Sequence, residues 1–369
     1  MLPSREEDAL SRGRRDTPEQ FHRGPDASPA GKKMHVGWLD ARWARWSLTT
    51  LLVLSAGGTI LGVVLHNEVI VGTAFTFARW WLAMALLLCA TWFALGRRRS
   101  RALGAAAALL LSLGDWTAHA LEQARPVVPD KPIDLTVLTF NVLFKGGAPD
   151  LAMKVLKENP ADVIALQEVT SEWEERLEAQ LPARYPYRSV LAQKDGRGLA
   201  IYSRYPLETV IPLDDARGKR FAQCAEVKLP TKYVTLCNVH LDSPAGALIA
   251  KDDVLGKLRD NARMRRRQWE QLSAHLALMS PGRSRVIAGD FNTMEEDPLY
   301  RDIADSWVDA YRSVTLAKGE TWPNLGWKPT LPSVRIDYVF VKGPGLPIRS
   351  RVIAGGGSDH FPVVTQLAL

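Results

Sequence analysis

The chain has 369 residues and a net charge of +7, a length that allows two or three domains or one large domain with an extension. The charge is uneven: residues 1–125 hold 15 Lys+Arg against 10 Asp+Glu (+5), and residues 126–369 hold 32 against 30 (+2). The near-neutral second part argues against a dedicated DNA-processing enzyme without excluding a local basic face, and three cysteines with no CxxC or Cys/His spacing give no zinc signature.

Residues 1–45 are rich in Arg, Asp, Glu, Pro, Gly and Ser up to about residue 35 and lack apolar periodicity, so they are expected to be a disordered cytoplasmic N-terminus. They are not a secretory signal, because the first apolar run begins near Trp46. Residues 46–122 then read as a membrane domain with about three transmembrane helices. The first, 47–65, has no charged residue, which meets the length of a bilayer span. The second, 75–95, carries Trp80, Trp81, Trp92 and Phe93 near its ends and one charge, Arg79, close enough to an end to snorkel. The third, 102–121, is apolar to Gly114 and then meets Asp115 and His119, so it spans only with a tilt or by placing those groups among headgroups; a soluble core helix is the alternative. Cys89 lies inside the second run, lipid-facing or packed.

Arginines orient these segments. Arg97, Arg98, Arg99 and Arg101 lie between the second and third, and Lys32, Lys33, Arg42 and Arg45 precede the first, whereas 66–74 holds no Lys or Arg. The positive-inside rule puts both basic stretches in the cytoplasm, in the inner membrane if the source is a bacterium. Three spans then place the remainder outside the cytoplasm; two would leave it inside. Residues 123–132, with three prolines from Pro126, form a semi-rigid linker.

From 133 to 369 short strands alternate with helices. The expected strands are 134–142, 163–166, 198–203, 222–228, 233–240, 286–288, 336–341 and 362–367; the expected helices are 150–159, 171–180 and 255–279. Cys224 and Cys237 flank a hairpin turn at Pro230–Lys232, and one register sets them opposite each other, so a disulfide forms there only in an oxidising compartment. The run Arg263, Arg265, Arg266 and Arg267 reads as a solvated helix face rather than a polyanion site. Trp322 and Trp327 form either a substrate-facing loop or a cap on the core, and Asp309 a helix cap without a catalytic role.

Polar residues recur where the apolar strands end. Asn141 closes Leu-Thr-Phe-Asn-Val, Gln167 and Glu168 follow Val163–Leu166, and Asn238 and His240 end the 233–240 strand. Asp290 and Asn292 follow Val286-Ile-Ala-Gly, where Gly289 would let backbone approach a ligand and the one-residue spacing would put both side chains on one face. Alone, that pair reads as an Asx-type turn. Asp337 interrupts Arg-Ile-Asp-Tyr-Val-Phe, and Ser358-Asp-His360 precedes the last strand. Four carboxylates, two histidines and several amides at strand ends suit a hard oxygen-ligand cation and a histidine held by a carboxylate.

In this order LTFNV, ALQEV, GLAIYSR, NVHLD, AGDFNT, RIDYVFV and SDHFP resemble the endonuclease/exonuclease/phosphatase superfamily, the DNase I-like fold, over residues 133–369. The three hydrophobic segments ahead of them resemble a bacterial membrane-anchored branch. The resemblance implies an α/β, four-layer αββα sandwich and metal-dependent hydrolysis of a phosphoester, with Mg²⁺ as cofactor and Mn²⁺ as the alternative. It makes Glu168 the principal metal ligand, with Asn141 beside it and Asp359 holding metal directly or through water. Asp337 and His360 become the carboxylate–imidazole pair. Asp290 orients or deprotonates the attacking water, Asn292 hydrogen-bonds the phosphoryl group, and His240 contacts the phosphate and the leaving oxygen. Which histidine is acid and which base stays open. The implied function is a membrane-anchored phosphoesterase acting on a phosphodiester or phosphomonoester: nucleic acid, a phospholipid or sphingolipid headgroup, or a soluble phosphoester. Its partners are that substrate and the lipid bilayer; no protein partner is legible. The alternative is a non-catalytic binding module on the same scaffold.

Overall fold

A computed structural model of the protein describes residues 42–64, 69–95, 98–110, 131–181, 183–249, 252–279, 282–324 and 333–369. The expectations for residues 1–41, for most of the linker, for the second half of the third apolar segment and for Trp327 fall outside these residues.

Two long helices open the described chain, α1 (Arg42–Val64) and α2 (Val69–Leu95), followed by a helical stretch at 99–110. They coincide with the three apolar segments. Because α2 begins at Val69 rather than near residue 75, Arg79 lies well inside the helix and not at its end. Cys89, Phe93 and Ala105 pack together with Leu48 and Leu52, so Cys89 is packed rather than lipid-facing. Side chains are described from 46 to 58 in α1 and 81 to 95 in α2; among the described residues no helix is long and apolar enough to cross a membrane.

The rest is an α/β sandwich of two mixed six-stranded sheets. The first has the order β11 (Leu346–Val352), β12 (Val363–Ala368), β1 (Leu135–Asn141), β2 (Val163–Gln167), β4 (Leu199–Ser203), β3 (Tyr187–Leu191). The second has the order β5 (Leu207–Asp214), β6 (Arg220–Lys228), β7 (Tyr233–His240), β8 (Ser284–Asp290), β10 (Asp337–Lys342), β9 (Val308–Asp309). The pairs β1–β2 and β7–β8 are parallel and all others antiparallel. Alternation along each strand sends one set of side chains between the sheets and the other outward. Val137, Ala165, Leu236, Val286, Ala288 and Val339 share the inter-sheet core. Leu138, Ile164 and Tyr202 face out toward helices α3 (Pro149–Glu158) and α4 (Ser171–Gln180), through Leu156, Trp173 and Leu177. On the far side Ile287, Tyr338 and Phe340 meet α6 (Val254–Leu278) and α7 (Pro298–Ala304), through Trp269, Leu272 and Tyr300. A short helix, α5 (Ala245–Leu248), precedes α6.

The eight interior strands are those legible in the sequence, to within two residues at their ends. The four that were missed, β3, β5, β9 and β11, are the four sheet edges. Edge strands carry charges and prolines that blunt further pairing, which erases the apolar run a sequence reading relies on. Strand β5 contains Pro212 and two acids, and β11 contains Pro347, Arg349 and Arg351. Cys224 stands opposite Cys237 in the β6–β7 register, and the two form a disulfide.

Candidate active site

The parallel strands β1, β2, β7 and β8 end at one rim of the sandwich, delivering Asn141, Glu168, His240 and Asp290 together. The antiparallel partner β10 starts there, with Asp337 in register with Asp290. Both carboxylates therefore enter the inter-sheet space, each 1 % exposed.

Asp290 is the focus. Its Oδ2 accepts a hydrogen bond from Asn141 Nδ2 (3.1 Å) and faces His240 Nε2 at 3.6 Å and His360 Nε2 at 3.7 Å. Those two imidazole distances are just beyond hydrogen-bond length, the looser geometry common to sites without substrate. Its Oδ1 accepts from the backbone N–H of Asn292 (2.8 Å). Asn292 has φ +48°, so the chain leaves the extended conformation and the expected shared face is lost. The Asx turn and the site are thus one feature: the turn aims Asp290. One Asn292 amide hydrogen is used on the Leu241 carbonyl (3.0 Å), leaving the second for a ligand. Gly289 serves a different close approach from the one its sequence suggested. A Cβ there would lie 2.0 Å from the Val239 carbonyl oxygen, so glycine lets β8 sit against β7 rather than against a ligand.

Glu168 is held in a strained left-handed conformation (φ +63°) just beyond β2. Its Oε1 accepts from Asn141 Nδ2 (3.0 Å) and its Oε2 from the Phe144 backbone N–H (2.9 Å). The next residue, Val169, packs on Gly198 just ahead of β4, where a Cβ would lie 1.8 Å from the Val169 carbonyl oxygen. His240 Nε2 lies 3.9 Å from Glu168 Oε1. His360 Nδ1 is 2.9 Å from Asp337 Oδ2. Burial alone would lower the His360 pKa; Asp337, then Asp290, outweigh it and hold His360 well above the usual imidazole range. Burial, with Asp290 adding to it, raises Asp337 above the usual carboxylate range against the opposing pull of His360. Their separation and opposite charges make them an ion pair at neutral pH, one proton resting on the imidazole.

Donor chemistry fits a hard cation. Glu168 and Asp290 keep free lone pairs, while Asn141 turns its amide nitrogen to both carboxylates and its oxygen to the Leu143 N–H (3.1 Å), so it lies beside a cation site and would ligate only with the amide reversed. Asp290, Asp337 and His360 also have ligand atoms within 4.8 Å of one another; His360 Nδ1 and Asp337 Oδ2 are spent on each other, whereas His360 Nε2 and Asp337 Oδ1 are not. Glu168 and Asp290, joined by Asn141, form a second oxygen-rich set at the same rim. Asp359 is half-buried, and its Oδ2 accepts from Trp322 Nε1 (3.2 Å); it is turned to that loop and makes no contact with Glu168 among the described residues.

Thr321 and Asn324 escaped the sequence reading, and Ser358, Gln167 and Asn238 were singled out there without a role of their own. Thr321 Oγ accepts the backbone N–H groups of Ile336 and Asp337 (both 3.1 Å), fixing the start of β10. Ser358 Oγ donates to the Asn141 carbonyl (2.7 Å) and accepts the His360 N–H (3.1 Å), tying the last loop to β1. Asn324 donates through Nδ2 to the Ser358 carbonyl (2.9 Å), so Trp322 and Asn324 brace that loop rather than cap the core. Gln167 Nε2 donates to Asn238 Oδ1 (2.7 Å), a polar tie between the sheets beneath the site. Arg265 departs from the solvated run around it: it is buried and donates to Asn261 and the Asp242 carbonyl, while Arg263, Arg266 and Arg267 are exposed.

Residues 138–360 match the Endonuclease/Exonuclease/phosphatase family. The chain belongs to that family. It is accordingly a metal-dependent phosphoester hydrolase. It is 25% identical over 270 residues to the Caenorhabditis elegans protein F14F9.5, covering 60% of this chain and 82% of that one. The fold is shared with an endonuclease/exonuclease/phosphatase from Beutenbergia cavernae (TM-score 0.50, 22% identity, 64% of this chain and 72% of the other). It is also shared with a Staphylococcus aureus beta toxin variant solved with bound magnesium ions (TM-score 0.50, 17% identity, 63% and 99%).

Proposed function

We propose that this chain is a membrane-anchored, Mg²⁺-dependent phosphoesterase, able to use Mn²⁺, that hydrolyses a phosphodiester or phosphomonoester outside the cytoplasm. The observation that carries the reading is the convergence of Asn141, His240 and His360 on one oxygen of Asp290. A carboxylate so placed orients a water and accepts its proton as the water oxygen attacks phosphorus. The second amide hydrogen of Asn292 and the ring of His240 would stabilise the phosphoryl oxygens. His360, kept protonated by Asp337, supplies a further positive charge to the phosphate or a proton to the leaving oxygen. Glu168 and Asp290, with Asn141 beside them, would hold a divalent cation, which would supply neutralisation of the spread negative charge of the phosphoryl group. Asp359, whose Oδ2 is engaged by Trp322, would help hold that cation directly through its other oxygen or through water.

Anchoring is supported by the N-terminal helices. In the sequence, residues 69–95 carry one charge, Arg79, in 27 positions, the composition on which the anchoring proposal rests. Leu54, Met84, Leu87, Leu88 and Leu110 point outward, each more than half exposed, the arrangement expected of helices whose solvent is lipid. The Cys224–Cys237 disulfide supports a catalytic domain in an oxidising compartment, as does the basic stretch between the second and third apolar segments. The substrate remains within three groups: nucleic acid, a phospholipid or sphingolipid headgroup, or a soluble phosphoester.

Full-length protein in detergent, assayed on plasmid DNA, RNA, sphingomyelin, phosphoinositides and bis(p-nitrophenyl) phosphate with Mg²⁺ and with EDTA, tests the reading. EDTA-sensitive hydrolysis of at least one is expected; none would sink it. A reporter fused after Leu369 that is active only in the cytoplasm would overturn the topology.

A further inference from the structure

We infer that the outer face of the second sheet carries a separate binding cleft for an oxyanion attached to a small apolar or aromatic body. The cleft, about 170 Å³, lies between α6 and the sheet and is lined by Trp269, Ser273, Leu276, Arg285, Trp307 and Lys342, with Ala277 and Ser306 at its rim. Arg285 is five residues from Asp290 on β8, about 17 Å along the strand, so the cleft is at the opposite end of the sheet from the hydrolytic site.

Three observations point to that ligand. Arg285 and Lys342 are register partners on β8 and β10, so two cationic side chains emerge side by side from one face. No carboxylate lines the cleft. Arg285 also donates to the Met279 carbonyl (3.3 Å), just beyond α6, which holds its guanidinium beside the cleft. Lys342 Nζ instead rests 5.6 Å from the Trp307 ring centre, a contact that leaves its charge available to an anion. The wall is apolar and rigid: Trp269 and Trp307 pack edge to face with centroids 6.3 Å apart, both buried, beside Leu276. Finally, Ser273 Oγ in the lining is buried without a hydrogen-bond partner among the described residues, a cost that a ligand oxygen would remove. A flat apolar body against the indoles would place its anionic group between Lys342 and Arg285, within reach of Ser273.

Isothermal titration of benzenesulfonate, which contains no phosphoester, into the full-length protein tests this. Benzenesulfonate is expected to bind at least about tenfold more tightly than inorganic sulfate or benzyl alcohol, since it alone engages both halves of the cleft. Lys342→Glu should weaken it by about tenfold or more and Ser273→Ala by about threefold, with hydrolytic activity retained in both as evidence of folding. Asp290→Asn should leave benzenesulfonate affinity unchanged, which separates this cleft from the hydrolytic site. Sulfate or benzyl alcohol binding as tightly, unaltered affinity in Lys342→Glu, or loss of affinity in Asp290→Asn would each overturn the assignment.

Discussion

Two groups of buried charges lie within two residues of each other on the approach to β10, and they behave in opposite ways. Around Arg335 every charge is answered. Arg335 donates to Glu295 (2.6 Å) and to both oxygens of Asp309 (3.0 and 2.5 Å). Arg312 donates to Glu295 through Nε and Nη2 and to the carbonyls of Ala317 and Lys318. Tyr300 closes the network on Asp309 (2.7 Å). Around Asp337 the charges are equally buried but incompletely answered. Asp337 Oδ1 has no partner among the described residues, and Asp290 faces two imidazoles at 3.6 and 3.7 Å rather than bonding them. A satisfied network locks the backbone, whereas one with spare donors and acceptors has room for a water and a phosphate. The first set holds the second in place: Glu295 follows the Asp290 turn and Arg335 precedes Asp337.

Substitutions should separate the two. Asp290→Ala is expected to lower turnover by about three orders of magnitude or more while leaving the thermal midpoint nearly unchanged, measured by steady-state kinetics and calorimetry. Arg335→Met should do the reverse, costing about 3–5 kcal/mol in urea unfolding because Asp309 and Glu295 are left buried and uncompensated. Comparable losses of stability in both variants would erase the distinction.

Acidity sharpens it further. Burial alone would raise Asp309, but Arg335 and its hydrogen bonds outweigh that and hold its carboxyl below the usual range. Its folded pKa thus lies under the unfolded value of about 3.9, so its contribution to stability is present above that pH and lost as pH falls through the folded value. Asp309→Asn should flatten the acid limb of a stability–pH curve; an unchanged limb would contradict the ion-pair account. In the active site the sign follows the other partner. Asp337 raises the pKa of His360, so Asp337→Asn should move the His360-governed limb of the pH–rate profile to lower pH. A limb that stays in place would show that Asp337 does not act through the imidazole. The smallest effect expected is from Ser358→Ala, about tenfold in turnover, since it removes one tie on the His360 loop and no reacting group.

How much of this was legible in the chain follows from where the information lies. Interior strands and the polar residues at their ends are local signals, so Asn141, Glu168, His240, Asp290, Asn292, Asp337 and His360 could be singled out one by one, and the structure brings them to one rim. The four edge strands were not legible because their polar and proline content is what makes them edges. The partners of buried charges were not legible either. Asp309 had only a helix-capping reading, because its partner Arg335 is 26 positions away. Arg265 is indistinguishable by sequence from its exposed neighbours, since burial on a helix depends on which face the sheet covers. Thr321 acts through backbone groups that no side-chain pattern advertises, and Ser358, although it opens the Ser-Asp-His motif, does the same.

The measurement that bears most directly on Asp290 as the centre of a hydrolytic site is turnover of bis(p-nitrophenyl) phosphate by full-length wild type and Asp290→Asn at saturating Mg²⁺. EDTA-sensitive turnover in wild type, reduced by about a thousandfold or more in the variant with an unchanged melting profile, is the predicted result. A variant within about tenfold of wild type would contradict the account.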